Sequence, residues 1–336
     1  MAHVQGDLVV GVDLGGTKIA VAVADTEGRI QARQSAPTPA AAGPEAVVAA
    51  IVALVQRTVA GLALAGTRLA ALGVGVPGPV ETGRGLVWTA PNLRGWIEVP
   101  VRDLLERPLG VPVFVENDAK AAALAEHRSG AGRGCQHMVY LTVGTGVGGA
   151  LVLDGRLYRG ASESAGEIGH MILQRDGPLC GAQHRGCLES LASGPALARA
   201  ARARLEAGRP SLLRDLVAGD LERLTAHHLH QAAQQGDPLA LAVLEDGAAY
   251  LGQAIASLAD ILNPELVVIG GGVAQVGEML LAPVRREAYR LAFARAAEVL
   301  RIVPGELDAA AGVVGALLVG LEGLRGAPAT VQWPPG

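Results

Sequence analysis

A carboxylate near the middle of this 336-residue sequence is placed where it could accept a proton. Asp118 follows the apolar run 113–115 and the pair Glu116-Asn117, and it precedes a helix-forming run at 119–127. It therefore lies between a predicted strand and a predicted helix. Helix capping explains such a position, but transfer of a phosphoryl group also needs a carboxylate that takes the proton of the attacking hydroxyl.

An early glycine-rich turn has the composition of a phosphate-binding site. Glycines let backbone N–H groups approach phosphate oxygens, Thr17 adds a hydroxyl donor, and Asp13 is placed to hold magnesium directly or through water. A strand-like run follows the turn, whereas a Walker loop opens a helix, so the Walker type is excluded. The predicted ligands of the phosphates and the metal are Asp13, Gly15, Gly16, Thr17 and Lys18.

A second turn, Gly144-Thr145-Gly146, begins a G-x-G-x-x-G pattern. A dinucleotide-binding loop of this pattern opens a helix, but residues 150–153 continue as a predicted strand. An ordinary glycine hairpin explains either turn alone, whereas two turns at matching positions favour phosphate binding. The run Gly270-Gly271-Gly272 follows a predicted strand, and we assign it to the adenosine part of ATP; a simple strand-to-helix turn is its alternative.

The elements that position these turns occur twice. Segments 7–33 and 137–158 both read as three short strands joined by glycine turns, and each precedes helical sequence and two further apolar runs. The later runs are 69–76 and 113–115 in the first half and 266–269 and 299–303 in the second, with helices at 45–65 and 237–262. This pattern predicts an α/β fold of two βββαβα lobes with a cleft between them. It resembles the actin-like ATPase (ribonuclease H-like) fold.

The duplication also predicts the domain boundaries. We expect a small N-terminal lobe at 1–117, to which a helix at about 310–325 returns, and a larger lobe at 118–309. The last residues, 327–336, contain two prolines near the end and are expected to be loose.

Two polar clusters follow the second turn. Glu167 and His170 are three residues apart and could face one ligand such as a sugar, although a surface Glu and a hydrogen-bonded His explain them equally. Cys180, Cys187 and nearby histidines indicate a structural zinc site with His170 as a distant ligand. Only these three ligands are clear from spacing, and a tetrahedral site needs four.

Composition limits the partners. The net charge is −4, no basic run occurs and aromatic residues make up 3%, which argues against nucleic acid. No secretory signal and no uninterrupted apolar stretch of membrane-spanning length are visible, so we expect a soluble cytoplasmic protein without a membrane partner. Three cysteines do not form a disulfide framework.

Nine motifs together resemble those of the ROK family, and within it the bacterial glucokinases. They cover most of the chain and are DLGGTK (13–18), GVPGPV (75–80), PNLRGW (91–96), ENDAKAAALAE (116–126), TVGTGVGGALVLDG (142–155), GEIGHM (166–171), CGAQHRGCLE (180–189), NPELVVIGGGV (263–273) and AAGVVGA (310–316).

The resemblance implies an ATP-dependent glucokinase that uses magnesium and phosphorylates the 6-hydroxyl of glucose, with Asp118 as the general base. It implies sugar contacts from Gly78, Asn92, Asn117, Asp118, Glu167, His170 and Glu189. The family holds zinc with the histidine of GEIGH and three cysteines, but Ala182 stands here at the middle cysteine position, and His184 is the available substitute. The family commonly forms dimers or tetramers.

Four alternatives remain to be weighed. A sugar-sensing repressor of the family carries a DNA-binding domain ahead of the first phosphate motif, and we expect none because that motif begins at Asp13. The presence of Asp13, Thr17, Thr145 and Asp118 argues against a non-catalytic sugar-binding homologue. A kinase for N-acetylmannosamine, mannose or fructose stays open, since pocket shape decides the sugar. Polyphosphate as donor is disfavoured because the glycine run at 270–272 suits a nucleoside.

Overall fold

The structure is a computed structural model that describes residues 7–62 and 68–333, and the chain divides into two compact units. The first unit runs to Gly134 and adds Arg156–Ala165 and the chain from Glu306 onward. The second unit comprises Cys135–Gly155 and Gly166–Gly305. This division differs from the predicted boundary between residues 117 and 118, because the helix that begins at Asp118 packs in the core of the first unit.

Both units combine strands and helices. The strands are β1 (Leu8–Leu14), β2 (Lys18–Asp25), β3 (Ile30–Pro37), β4 (Leu69–Val76), β5 (Val80–Glu81), β6 (Leu86–Thr89), β7 (Ile97–Pro100), β8 (Val113–Asn117), β9 (Met138–Val143), β10 (Val147–Leu153), β11 (Arg156–Tyr158), β12 (Leu266–Gly270) and β13 (Arg301–Pro304). The helices are α1 (Pro44–Ala60), α2 (Val101–Leu109), α3 (Asp118–Ser129), α4 (Leu188–Ala192), α5 (Gly194–Glu206), α6 (Leu213–Leu216), α7 (Ala226–Gln234), α8 (Pro238–Leu262), α9 (Glu278–Leu291), α10 (Ala294–Val299) and α11 (Ala311–Arg325).

The central sheet of the first unit has the strand order β3-β2-β1-β4-β8, in which β1, β4 and β8 are parallel. Asp13 is in register with Gly75, and Gly75 is in register with Glu116. Because parallel strands end at a common edge of the sheet, the loops after β1, β4 and β8 lie together at that edge. A small antiparallel sheet, β5-β6-β7, follows β4.

The sheet of the second unit repeats this arrangement. Its order β10-β9-β12-β13 reproduces β2-β1-β4-β8, with an antiparallel hairpin followed by two parallel strands. The predicted α/β fold with a duplicated strand order is therefore confirmed. The run 299–303 was predicted as one strand, whereas Val299 ends α10 and β13 begins only at Arg301. Helix α1 ends at Ala60, and residues 63–65 of the predicted helix lie outside the described residues.

Helix α11 packs on the sheet and on α3 within the first unit. The approach of the helices is close, because a Cβ on Gly315 would collide with the carbonyl oxygen of Ala121. The chain after α11 is packed as far as residue 333, so the prediction of a loose tail is wrong there. Ala329 and Val331 are buried, and the Val331 N–H donates to Ser129 Oγ over 3.2 Å. Residues 334–336 of that prediction lie outside the described residues.

Helix α8 is, within residues 7–62 and 68–333, the single helix with the length and apolar composition of a membrane span. However, 61% of its most apolar stretch is buried inside the protein. Its buried face, from Leu239 to Ala259, belongs to the core of the second unit. Packing in that core accounts for its apolar character.

Candidate functional site

The turn between β1 and β2 is held in place by backbone hydrogen bonds. The Gly15 N–H donates to the Lys18 carbonyl over 2.9 Å, and the Thr38 hydroxyl donates to the Gly15 carbonyl over 2.8 Å. A Cβ on Gly16 would lie only 3.0 Å from Cβ of Asn92. The predicted phosphate turn and the predicted sugar ligand Asn92 are therefore neighbours in the first unit.

Asp13 is the second-last residue of β1, just before this turn, and lies against the start of α11. A Cβ on Gly312 would collide with its carboxylate, so glycine is needed at that position of the helix. Burial raises the pKa of Asp13 to about 6, and the positive charge of Lys18 opposes this shift only in part. A poorly solvated carboxylate of this kind fits a divalent cation, which would favour its ionised form.

The corner between β8 and α3 carries Asn117 and Asp118. Asn117 is the N-cap of α3, because its Oδ1 accepts from the Lys120 N–H over 3.1 Å. Its amide nitrogen donates to the Gly78 carbonyl over 3.0 Å and to Asp118 Oδ1 over 3.1 Å. The Ala119 N–H also donates to Asp118 Oδ1, over 2.7 Å. Asn117 thus performs the capping, while Asp118 is held at the positive end of the helix.

Gly78 needs its glycine for this arrangement. Its φ is +88°, and a Cβ there would collide with the Thr89 carbonyl oxygen. Its own carbonyl is the acceptor for the Asn117 amide. The structure therefore brings the predicted residues Gly78, Asn117 and Asp118 together at the ends of β4 and β8. The last two residues of β1, Asp13 and Leu14, lie at the same edge of the sheet.

The turn between β9 and β10 has a matching position in the second unit. The Gly144 N–H donates to the Gly146 carbonyl over 2.9 Å, and the Gly194 N–H donates to the Gly144 carbonyl over 2.8 Å. Glu189 lies directly behind the turn: its Oε2 accepts from the Val147 N–H over 3.2 Å, and a Cβ on Gly146 would lie 2.5 Å from it. The predicted sugar ligand Glu189 thus supports the second phosphate turn.

A pocket of about 570 Å³ opens beside this turn. Its walls are mostly apolar, with hydroxyl, amide and imidazole groups and no carboxylate, lysine or arginine. It is lined by Gly144, Thr145, Gly194, Pro195, Ala198, Leu224, Thr225, Ala226, His227, His230, Gly272, Val273, Gln275 and Val276.

Of the glycine run that we assigned to adenosine, only Gly272 lines this pocket. Gly270 ends β12, and a Cβ there would lie 2.6 Å from the Tyr140 hydroxyl. Gly271 has a φ of +88° and lies against the backbone of Val143. These two glycines shape the strand end, and Gly272 alone can approach a ligand in the pocket.

Two walls of this pocket were not among the residues predicted from the sequence. One is the start of α5, where Ser193 caps the helix and Pro195 lies in its first turn; that helix-start pattern was readable in the sequence. The other is the segment from Leu224 through His230, where three histidines in four residues were the available signal.

Glu167 directly precedes a single turn of 3₁₀ helix, Ile168–His170, and His170 is the last residue of that turn. The His170 N–H donates to the Glu167 carbonyl over 3.1 Å, and the Glu167 side chain is exposed. The His170 ring lies near Cys180, with Nδ1 and Sγ separated by 3.9 Å. The two predicted sugar ligands are therefore close in the chain but differ in surroundings.

Three potential metal ligands meet next to this turn. Ligand atoms of His170, Cys180 and Cys187 all lie within 4.8 Å of one another. Burial raises the pKa of the Cys187 thiol, and the neighbouring Cys180 thiol contributes to the shift. His184 is exposed and lies outside this group, but its ring centroid is 4.7 Å from that of His170. One imidazole and two thiols fit three ligands of a zinc ion.

Comparison with known proteins agrees with this arrangement. The model of the ROK family matches residues 9–322. The chain is 38% identical to the glucokinase of Streptomyces coelicolor over 312 residues, 92% of this chain and 96% of that protein.

Two crystal structures are similar over nearly their whole length. The ROK family glucokinase of Streptomyces griseus, in complex with glucose and AMPPNP, has 38% identity and a TM-score of 0.81 and covers 93% of this chain and 99% of its own. The ROK hexokinase of Thermus thermophilus has 39% identity and a TM-score of 0.77, and the match covers 95% of this chain and 100% of that hexokinase chain. With its strand order, its two turns and these similarities, the chain belongs to the ROK family.

Proposed function

We propose that this protein is an ATP-dependent glucokinase that transfers the γ-phosphate of ATP to the 6-hydroxyl of glucose. The observation that carries the proposal is the Asp118 carboxylate, held at the corner of β8 and α3 at the same sheet edge as Asp13 and the first phosphate turn. The similarity to the Streptomyces glucokinases supports glucose as the acceptor.

In the first unit, Asp118 takes the proton of the attacking hydroxyl. Asn117, Asn92 and the Gly78 loop bind the sugar hydroxyls. The backbone of Gly15–Gly16 and the Thr17 hydroxyl bind phosphate oxygens, and Lys18 adds positive charge. Asp13 would hold magnesium, which neutralises phosphate charge when bound.

In the second unit, Gly144, Thr145 and Gly146 bind phosphate oxygens, and the adjoining pocket takes the adenosine. Its apolar walls favour a nucleoside over polyphosphate, because a polyphosphate chain would need cationic groups and the pocket is lined by no lysine or arginine. The polar partners for the base and ribose are the side chains of Thr225, His227, His230 and Gln275.

His170, Cys180 and Cys187 would hold zinc. His184 lies outside this group, and it would supply the fourth ligand only after its ring, now 4.7 Å from that of His170, turned toward the ion. Such an ion would fasten the chain around residues 167–189 and thereby fix the positions of the predicted sugar ligands Glu167, His170 and Glu189 within the second unit. The proposal therefore links metal content to glucose affinity. We further propose that the enzyme acts in the cytoplasm and that it forms a dimer or tetramer. Light scattering of the purified protein would measure the oligomeric state.

The test is a coupled assay of ADP release with ATP and magnesium across glucose, mannose, fructose and N-acetylmannosamine. We expect the highest kcat/KM with glucose. A higher kcat/KM with another hexose would support the kinase activity but contradict glucose as the acceptor. No ADP release with any sugar would contradict the kinase activity and leave a sugar-binding protein as the alternative. Phosphorylation of glucose by polyphosphate at the rate seen with ATP would contradict the proposed role of the pocket.

A further inference from the structure

We infer that residues of the segment Arg156–Ala165 position Asp118 through a ring of hydrogen bonds in the first unit, which makes Glu163, Arg159 and Glu116 positioning residues for the reaction. The inference rests on the proposed function, since it takes Asp118 as the base. Chain neighbours on both sides of this segment belong to the second unit, whereas the segment itself belongs to the first.

The first link is an ion pair between the buried Glu116 carboxylate and Arg159, whose side chain is 41% exposed, directly before the Asn117-Asp118 corner. Glu116 is only 2% exposed, and its Oε2 accepts from Arg159 Nε over 2.9 Å and from Nη2 over 2.7 Å. Its other oxygen accepts the Asn117 N–H over 3.0 Å. Because a buried carboxylate without its cation is costly, Arg159 holds Glu116, and Glu116 holds the backbone of Asn117.

The second link lies on the other side of the corner. Lys120, in the first turn of α3, is 4% exposed, and its ammonium donates to the carbonyl of Glu163. The Glu163 carboxylate in turn accepts from the Thr82 hydroxyl over 2.8 Å and from the Thr82 N–H. Glu163 has a φ of +61°, a conformation that is uncommon for a residue with a side chain.

These links close a ring. Thr82 lies in the turn directly after β5, four residues after Gly78. The Gly78 carbonyl accepts from the Asn117 amide, which also donates to Asp118. The path runs from Thr82 through Glu163 and Lys120 to α3 and returns through Asn117 to Gly78, so it includes the chain segment that carries the proposed base. Breaking the ring would let α3 and the Gly78 loop move independently and would displace the Asp118 carboxylate. A displacement of about 1 Å lowers the rate of the reaction by up to about 100-fold.

The sequence contained signals for this ring. Glu116 interrupts an apolar strand, and Lys120, one of only two lysines, interrupts an alanine-rich helix. A charged residue at a buried position needs a partner. The partners, Arg159 and Glu163, are far along the chain, so only the structure identifies them.

The experiment compares Glu163→Asn with Glu163→Gln, because asparagine tolerates a positive φ but is too short to reach Thr82, whereas glutamine keeps the length and one acceptor. We expect Asn to lower kcat about 30-fold with the glucose Kd changed less than about threefold, and Gln to restore about half of that loss on a logarithmic scale. Thr82→Val, which removes one donor with little change of shape, should lower kcat about threefold.

Matched controls keep the ring intact. Glu81→Gln lies next to Thr82 and removes only a surface ion pair with Arg84. The second control, Arg156→Met, replaces an exposed arginine of the same segment and is matched to the test variant Arg159→Met. Both controls should keep wild-type kcat, whereas Arg159→Met should lower kcat and shift the acidic limb of the kcat–pH profile, because the base is held differently.

The outcomes separate the inference from the proposed function. If the Glu163 and Arg159 variants keep wild-type kcat and pH profile and differ only in melting temperature, the ring is merely structural and the inference fails. If Asp118→Asn retains full activity, the assignment of the base fails, whatever the ring variants show. A Thr82→Val effect limited to KM for glucose would also contradict positioning of the base.

Discussion

The two units have the same strand order but place different chemistry at the strand ends. In the first unit, the loops after β1, β4 and β8 carry Asp13, Gly78 and the Asn117-Asp118 corner. In the second unit, the corresponding edge carries a glycine turn and a mostly apolar pocket. A duplicated sheet thus provides two equivalent edges, and the connections between strands decide what each edge binds.

The connections explain the difference. Within the first unit, α3 follows β8 directly, so the polar residues at the helix start stay at the edge. In the second unit, α4 through α7 lie between β10 and α8, and the starts of α5 and α7 supply the walls of the pocket. In the proposed function, the carboxylates of the first unit serve the acceptor and the metal, and the apolar surface of the second unit serves the nucleoside.

The largest expected effect tests the carboxylate of the first unit. Asp118→Asn keeps the shape and the hydrogen bond from Asn117 but cannot accept a proton, so we expect kcat to fall about 1,000-fold with glucose binding retained. Steady-state kinetics and calorimetric titration with glucose measure both. The control is Asp154→Asn in the second unit, whose side chain is 91% exposed and which should keep full activity. A near-normal kcat of Asp118→Asn would show that Asp118 is not the base, and the proposed difference in chemistry between the two sheet edges would then fail.

A second effect concerns Asp13. Its replacement by Asn should lower kcat/KM for ATP about 100-fold, because the proposed magnesium ligand would be lost. Since burial raises the pKa of Asp13 from 3.8 to about 6, the metal-free folded state keeps a proton that the unfolded state loses.

The wild-type melting temperature without metal should accordingly contain a component that falls as pH rises from 3.8 to about 6. Asp13→Asn should lack this component. Thermal melts across that pH range with chelator present measure it, and identical pH dependence in both proteins would show that Asp13 is not the titrating group.

Metal removal tests the second unit. Cys180→Ser should reduce bound zinc from about one per chain to nearly none and raise the glucose KM about tenfold, because the chain carrying His170 and Glu189 loses its anchor. Elemental analysis and kinetics provide the two readouts. Cys135→Ser is the control, since Cys135 is buried in the same unit but outside the three-ligand group. Equal zinc content in both variants would contradict the site.

The smallest effect separates two glycines of one turn. Gly146→Ala brings a methyl group to 2.5 Å from Glu189 Oε2, so Glu189 must move, and the glucose KM should rise about fivefold. Gly144→Ala meets no protein atom within 4 Å but lines the pocket, so the ATP KM should rise instead by about fivefold. If both variants raised the KM for the same substrate, the two glycines would not act separately on ATP and on glucose.

Much of the site was predictable because its residues are close in sequence to the turns that hold them. Asp13 to Lys18 and Gly144 to Gly146 lie in hairpins whose hydrogen bonds span a few residues. Residues that act from afar were not predictable in the same way. The α5 start, the segment with His227 and His230, and the partners of Glu116 and Lys120 reach the site only when the chain is folded.

By itself, the sequence determined the two hairpins, the duplicated order of apolar runs and the position of Asp118 between a strand and a helix, because local hydrogen bonding and periodicity encode these features. Only the tertiary structure decided that Asn117 is the cap, that α3 belongs to the first unit, that one glycine of 270–272 faces the pocket, and that His184 lies outside the three-ligand group. Those outcomes depend on packing between segments distant in sequence, which local patterns do not specify.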